Sequence, residues 1–520
     1  MTDSDSPATF ADVWQTTVAN YGEAEFLVFR NSAGGVTTWT YSEFDECVVR
    51  VAGALAHAGV GRGGAVHLAL RNCPAFVAVW LAAARLGAYI VPVDPESGPR
   101  DLVQQVRRTS PTIGFCASSR AAAYVENAGL RVVVALAEDE TDLVEGSPLL
   151  GGSSASRLTG RPSPSDRLAV MFTSGTTAEP KGVVLTQRNY VRVAQTMAAL
   201  AESRPDSRWY VTLPLFHANA QYYCFAPAIA TGASVALTSS FSASQWVQVA
   251  HELEVTHASL FAAPIRMILA RTADDARPLR LQHVWFAQSL AAGHFESFAR
   301  LAGVHPRQLY GMTETIAAVT TVALEAASPD RIGTPVPGRE VRVVGADGVQ
   351  VSGTVPGELW VCGEPGDDLF AGYLRDPIAT TAAFHDDHGI TWFATGDLVA
   401  WDAEGTALQF VGRVDDVIKV AGENVSLTQL EAMLAEAPGV LEAAAVAEPD
   451  PMRDQVPVAY VVPHDPAFPP DLDALAEWAA SQLTPAARPR RWHIVDALPR
   501  TSVGKVRRFR LTGPKEGSDA

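Results

Sequence analysis

Lysine is scarce in this chain. Of 40 basic residues only Lys181, Lys419, Lys505 and Lys515 are lysine, and the other 36 are arginine. Either residue supplies surface charge, so positions that keep a compact ammonium rather than a planar fork mark places where the difference matters. Three of the four fall in the motifs described below. Cysteine is sparse as well. Cys47, Cys73, Cys116, Cys224 and Cys362 are odd in number and lack CxxC spacing, which argues against a disulfide framework and a zinc site and suits a reducing, cytoplasmic compartment. Positive charge is in deficit: 57 Asp+Glu against 40 Lys+Arg leave a formal net charge of −17. That balance argues against nucleic acid or an anionic membrane as the main partner, so any anionic ligand must be met locally. Long apolar runs are missing too. The longest, Pro74–Ala84, stops at Arg85, short of a membrane span. The opening MTDSDSPATF is acidic and polar where a secretory signal is basic and then apolar.

What is present is a long, core-forming chain. At 520 residues, 48% hydrophobic and 19% charged, it predicts more than one folded unit, each able to bury its own core. Helical patterns alternate with short apolar runs: Tyr41–His57 (helix), Ala65–Leu70 (strand), Pro74–Leu86 (helix), Tyr89–Val93 (strand). The alternation continues to Val284–Phe286, which predicts an α/β fold of parallel sheets with helices on both faces. From about residue 333 to 412 the texture turns to short strands with Pro and Gly turns, a β-rich subdomain. Beyond Gly412 a polar hairpin, two helices and three strands predict a separate small α+β domain. The expected division is therefore 1–412 and 413–520.

Chemistry concentrates in a few segments. The run Arg167–Phe172 reads as a strand and leads into Thr173-Ser174-Gly175-Thr176-Thr177-Ala178-Glu179-Pro180-Lys181. Its hydroxyls, backbone N–H groups and lysine could surround phosphate oxygens, although alone it reads equally well as a surface turn. It is not a Walker loop. Glu314, in Tyr310-Gly311-Met312-Thr313-Glu314-Thr315, offers a hard carboxylate suited to Mg²⁺ shared with phosphate oxygens. Asp397, read as lying at the Gly turn of Thr395-Gly396-Asp397-Leu398, can accept from both hydroxyls of a ribose. Lys505 follows Gly504 ahead of Arg507, Arg508 and Arg510, and could swing a point charge onto a developing anion.

With Gly412–Lys419 and Pro499–Lys505, these segments resemble, in the right order, the signature motifs of the adenylate-forming superfamily of acyl-CoA synthetases and adenylation domains. The stretches FHANAQ, EPGDDLFAGYLRDP, YGMTET and GENVS look most like the branch holding crotonobetaine/carnitine–CoA ligases. The resemblance implies ATP, Mg²⁺ and CoA as cofactors and a small or aryl carboxylic acid as substrate. ATP would meet Thr173, Ser174, Gly175, Thr176, Thr177, Lys181, Tyr310, Gly311, Met312, Thr313, Asp397, Arg413 and Lys505. Catalysis would rest on Lys505, Thr176, Glu314 and His217, with Glu314 on the metal and His217, in Pro214-Leu215-Phe216-His217, at the acyl pocket. It also implies that the small domain turns about a hinge near Asp415 between two half-reactions. A homodimer is compatible with this reading. Two alternatives stay open: a relative that activates nitrite to diazotise an aromatic amine in secondary metabolism, and a non-catalytic nucleotide-binding scaffold. Arg488, Arg490 and Arg491 are candidates to meet the CoA nucleotide. The chain departs from the family pattern at Phe172, at Ala178, at Ala287-Gln288-Ser289-Leu290 in place of a Gly-rich adenine-side segment, and at Gln429.

Overall fold

The computed structural model describes residues 8–130, 132–151, 161–173, 180–273, 275–500 and 506–511. Two large sheets form the first part of the chain. In one, nine strands run in the order Thr334–Pro335, Thr320–Thr321, Arg307–Tyr310, His283–Ala287, His257–Phe261, Arg208–Val211, Ser234–Thr238, Glu25–Arg30, Val36–Thr40. Its central strands are parallel, in a register that sets His257 beside His283 and Phe261 beside Ala287. The second sheet has seven strands, with Ala65–Ala69 between Tyr89–Pro92 and Ile113–Ala117 in parallel. The central strands of both sheets are buried almost throughout, as parallel sheets covered on both faces must be.

The helix Pro74–Leu86 shows how local chemistry delivers this architecture. Pro74 at the first position has no N–H to lose, and the helix stops where Gly87 takes φ +64° and returns its N–H to Ala83 and Ala84. Every residue from Pro74 to Ala84 is buried. A helix apolar on all sides belongs inside, and this one packs in a core shared by both sheets, with Trp80 against Phe10 and Tyr190.

The β-rich part is as expected, an antiparallel sheet of Val341–Val344, Gly357–Cys362, Ile390–Trp401 and Phe384–Asp387, with Leu408–Arg413 pairing Ile390–Trp401. One reading is corrected here. Thr395-Gly396-Asp397 does not form a turn but lies inside the 12-residue strand Ile390–Trp401, with Gly396 at φ +74° and a register shift just after it. The small α+β unit has the hairpin Val417–Val420 and Glu423–Ser426, the long pair Val440–Asp450 and Asp454–Pro463, Arg491–Ile494, and the helices Leu427–Leu434 and Leu472–Gln482. A single helical turn, Val414–Asp416, joins it to the strand Leu408–Arg413.

Candidate active site

The strand Arg307–Tyr310 ends beside the strand Ile390–Trp401, and two side chains close the gap. The Tyr310 hydroxyl donates to Asp397 Oδ2 at 2.6 Å. Burial, followed by the charge of Asp397, pushes the phenol well above its ordinary value, so it remains a donor. Arg413 lies opposite Asp397 in the strand register and brings Nη1 to 3.3 Å from Oδ1. Burial works against the Arg413 charge, but the carboxylates of Asp397, Asp416 and Glu314 outweigh it and hold the guanidinium protonated. Gly396 is needed here: a Cβ would come within 2.9 Å of Arg413 Nη2, at a φ that side chains avoid. The carboxylate is thus fixed between a neutral and a charged donor.

Glu314 lies four residues beyond Tyr310, in the helical turn Thr313–Thr315, and is buried. Its Oε1 accepts from the Tyr373 hydroxyl at 3.2 Å, and its carbonyl accepts from Phe370 N–H at 2.9 Å. The Tyr373 ring in turn carries Lys181 Nζ 4.8 Å from its centroid. Tyr373 therefore joins the lysine that ends the phosphate-loop segment to the carboxylate proposed for Mg²⁺. A single buried carboxylate fits an ion whose remaining ligands are phosphate oxygens and water. Thr173 and Lys181 are partners in an antiparallel pair, so the ends of the loop between them are closed together. Ser174, Gly175, Thr176, Thr177 and Lys505 lie outside the described residues.

Gly311 meets a neighbour that sequence reading missed. A Cβ there would stand 2.9 Å from the Tyr223 hydroxyl and 3.1 Å from the Ala317 carbonyl. Tyr223 belongs to a π-helical turn, Gln221–Phe225, a form common at functional sites. His217 precedes that turn, half-buried, with Phe216 4.7 Å away ring to ring. Its segment is held by side chains: Asn72 accepts from Leu215 N–H and donates to the Leu213 carbonyl, while Gln221 donates to the Leu215 carbonyl. Met312 is extended, and its N–H donates to Thr315 Oγ1. Gln288 adopts φ +77°, the conformation glycine would supply, so the chain keeps a glycine-like backbone there without a glycine.

The basic residues of the small unit make contacts within it. Arg488 donates to the carbonyls of Leu483 and Ala480, Arg490 donates to that of Pro485, and Arg491 pairs with Glu448. These arginines are engaged in holding their own fold. Arg508, read as one of a basic tail, is an anchor: it reaches Asp416 at 2.5 Å and Glu431 at 2.7 Å.

The site's parts are those of an enzyme that handles a nucleotide. The AMP-binding enzyme family matches residues 14–374, and the AMP-binding enzyme C-terminal domain matches 429–505. The chain belongs to this family, the adenylate-forming enzymes, and to its AMP-forming acid–CoA ligases. It is 28% identical over 512 residues to crotonobetaine/carnitine–CoA ligase of Proteus mirabilis (strain HI4320), covering 95% of this chain and 97% of the relative. A sulfoacetate–CoA ligase of Cupriavidus necator is 31% identical over 465 residues, 88% of each chain. Among solved structures, the anthranilate CoA ligase AuaEII in complex with anthranoyl-AMP superposes with a TM-score of 0.87 at 22% identity, covering 98% of both chains. ATP-bound MatB from Rhodopseudomonas palustris gives 0.83 at 24%, covering 96% of this chain and 98% of that one. No helix among the described residues is long and apolar enough to cross a membrane.

Proposed function

We propose that the chain activates a small or aryl carboxylic acid in two half-reactions. In the first, a carboxylate oxygen attacks the α-phosphorus of ATP, the bond to the β-phosphate oxygen breaks, and pyrophosphate leaves. In the second, the CoA sulfur attacks the acyl carbon, the bond to the phosphate oxygen breaks, AMP leaves, and the thiol proton goes to solvent. The observation that carries this reading is Asp397, fixed by Tyr310 and Arg413 and ready to accept from the ribose hydroxyls. Arg413 would donate to the same ribose or to phosphate. Glu314 would hold Mg²⁺ together with phosphate oxygens, and the ion would neutralise charge on the departing pyrophosphate. The loop 173–181 would wrap the phosphates, with Lys181 supplying a fixed ammonium. Lys505 would bridge the substrate carboxylate and the α-phosphate, and His217 would border the acyl group. Catalysis on this plan is positioning and charge stabilisation, with no covalent enzyme nucleophile.

Lys505 and the CoA approach are needed at different times, so the unit 413–520 would turn about Asp415 between the steps. The single turn Val414–Asp416 supports this, since few other backbone bonds would have to change. Carboxylate-dependent exchange of pyrophosphate into ATP, run over a panel of acids with nitrite included, tests the reading. Exchange with an aryl or short acid, followed by CoA-dependent release of AMP, is the expected result. Nitrite-dependent AMP production with no response to CoA would overturn it in favour of diazotisation.

A further inference from the structure

The turn that carries Glu314 ends in strained backbone, and an arginine from elsewhere in the chain holds it. Ile316, which follows Thr313–Thr315, has φ +59° and ψ −76°. It is β-branched and fully buried, and side chains of that kind avoid positive φ. Such a conformation persists only where the surroundings over-determine it. The peptide that enters Ile316 is fixed on both sides: its N–H donates to the Thr313 carbonyl at 3.4 Å, and its oxygen, the Thr315 carbonyl, accepts from Arg339 Nη2 at 2.8 Å. The same nitrogen donates to the Asp368 carbonyl at 2.7 Å. Arg339 Nη1 is buried and makes no hydrogen bond among the described residues, so Nη2 bears the contact.

The segment that receives Arg339 is itself fastened. Asp367 accepts from Arg192 Nε and Nη2 at 2.7 and 2.9 Å, and Asn189 donates to the carbonyls of Asp367 and Leu369, which ties the segment to the helix Gln187–Leu200. Phe370 N–H meets the Glu314 carbonyl. Two consecutive carbonyls, of Glu314 and Thr315, are thus tied to one anchored segment, and Tyr373 just beyond it donates to the Glu314 carboxylate.

Resting on the reading of Glu314 as the residue that holds Mg²⁺, we propose that Arg339 is a positioning residue: it holds the strained Thr315–Ile316 peptide and so aims the Glu314 carboxylate at the metal and phosphates. Without it the peptide relaxes and the carboxylate loses its fixed direction.

The test uses the full chain with Arg339→Met and with Arg339→Lys, whose single ammonium can serve both carbonyls as Nη2 does. Calorimetric titration with Mg·ATP, and with AMP as a nucleotide that lacks the β- and γ-phosphates, needs no acid substrate. Arg339→Met should weaken Mg·ATP binding about tenfold and leave AMP binding unchanged, and Arg339→Lys should restore most of the loss. Glu314→Gln should weaken Mg·ATP binding at least as much, with no further loss in the double variant. Equal weakening of Mg·ATP and AMP, or additive losses in the double variant, would overturn the proposal. Hydrogen exchange reads the contact itself: in Arg339→Met the amides of 312–319 should exchange about tenfold faster while those of 187–200 keep their rates. Unchanged exchange over 312–319 would also overturn it. If that exchange quickens while Glu314→Gln binds Mg·ATP as the wild type does, the hold of Arg339 on the turn stands and the metal reading of Glu314 fails.

Discussion

The strands His257–Phe261, His283–Ala287 and Arg307–Tyr310 carry polar groups at both ends, and the two ends treat them in opposite ways. At the C-terminal end, Tyr310 leads to Asp397 and Arg413, Gly311 to Tyr223, and Gln288 takes a left-handed backbone. Charge is kept there and fixed in place. At the N-terminal end, His257 and His283 stack with ring centroids 5.8 Å apart and pack on Trp209 and Trp285. Burial drives His257 down to about 4 and His283 well below the ordinary imidazole range, the latter also through His257 and Arg307, so both rings are neutral in the folded protein near neutral pH. The sheet thus fixes ions with charged partners at the end where we place the ligand, and keeps two buried imidazoles neutral at the other. Strongly shifted titration alone does not separate the two; a charged partner with fixed geometry does.

Breaking the ligand end should cost most. Lys505→Ala should reduce pyrophosphate exchange by about 10²–10³-fold while AMP release from supplied acyl-adenylate persists, since one charge donor of the first transition state is gone. Equal loss in both steps would remove Lys505 from its assigned moment. Asp397→Asn comes next. It leaves Tyr310 and Arg413 facing a weaker acceptor, and the KM for ATP should rise about 10–10²-fold. Unfolding at pH 7 should stay within about 1–2 kcal/mol, and a KM near wild type would show that the ribose is held elsewhere.

The far end answers to acid instead. An unfolded chain takes protons onto His257 and His283 near pH 6.5, whereas the folded protein keeps His257 neutral until about 4. Their contribution is therefore complete above pH 6.5 and is lost as pH falls from 6.5 toward 4, at about 1.4 kcal/mol per pH unit for each histidine. His67, on the other sheet and also near 4, adds a third such slope. His257→Gln should flatten the fall of urea stability over that window by about one proton while leaving exchange at pH 8 unchanged. An unaltered slope would mean that the ring is already protonated in the folded state.

Much of this was legible in the residues. Pro74 and Gly87 bracket their helix in the sequence as they do in the fold, and the chemical segments announce themselves by hydroxyl, glycine and lysine content. What the sequence hid were facts of register and distance. Thr395-Gly396-Asp397 has the composition of a turn, yet its pairing with Leu408–Arg413 keeps it in a strand, and that pairing is what brings Arg413 to Asp397. Tyr373 and Tyr223 carry no local mark of function. Each matters only because a residue 59 positions away, Glu314, or a close-packed Gly311 lies against its hydroxyl. The carbonyls that Arg488 and Arg490 cap could not be read from the sequence either.

The smallest expected effect sharpens the comparison at a single backbone angle. Gln288 sits at φ +77° between the strand His283–Ala287 and the helix Ala292–Ala302, and Gln308 Nε2 donates to its carbonyl at 3.3 Å. A side chain held in that region costs about 1–2 kcal/mol relative to glycine in the folded state, and a β-branched one costs more. Glycine gives back part of this gain, about 0.4–1 kcal/mol, through the greater freedom of the unfolded chain. Gln288→Gly should therefore be neutral to about 1 kcal/mol stabilising, with the KM for ATP little changed because the backbone keeps its course. Gln288→Val should be less stable than Gln288→Gly by at least about 1–2 kcal/mol and should raise the KM for ATP. Equal urea midpoints for the two variants would mean that the segment abandons the left-handed angle when its side chain changes, and its backbone would then not be fixed.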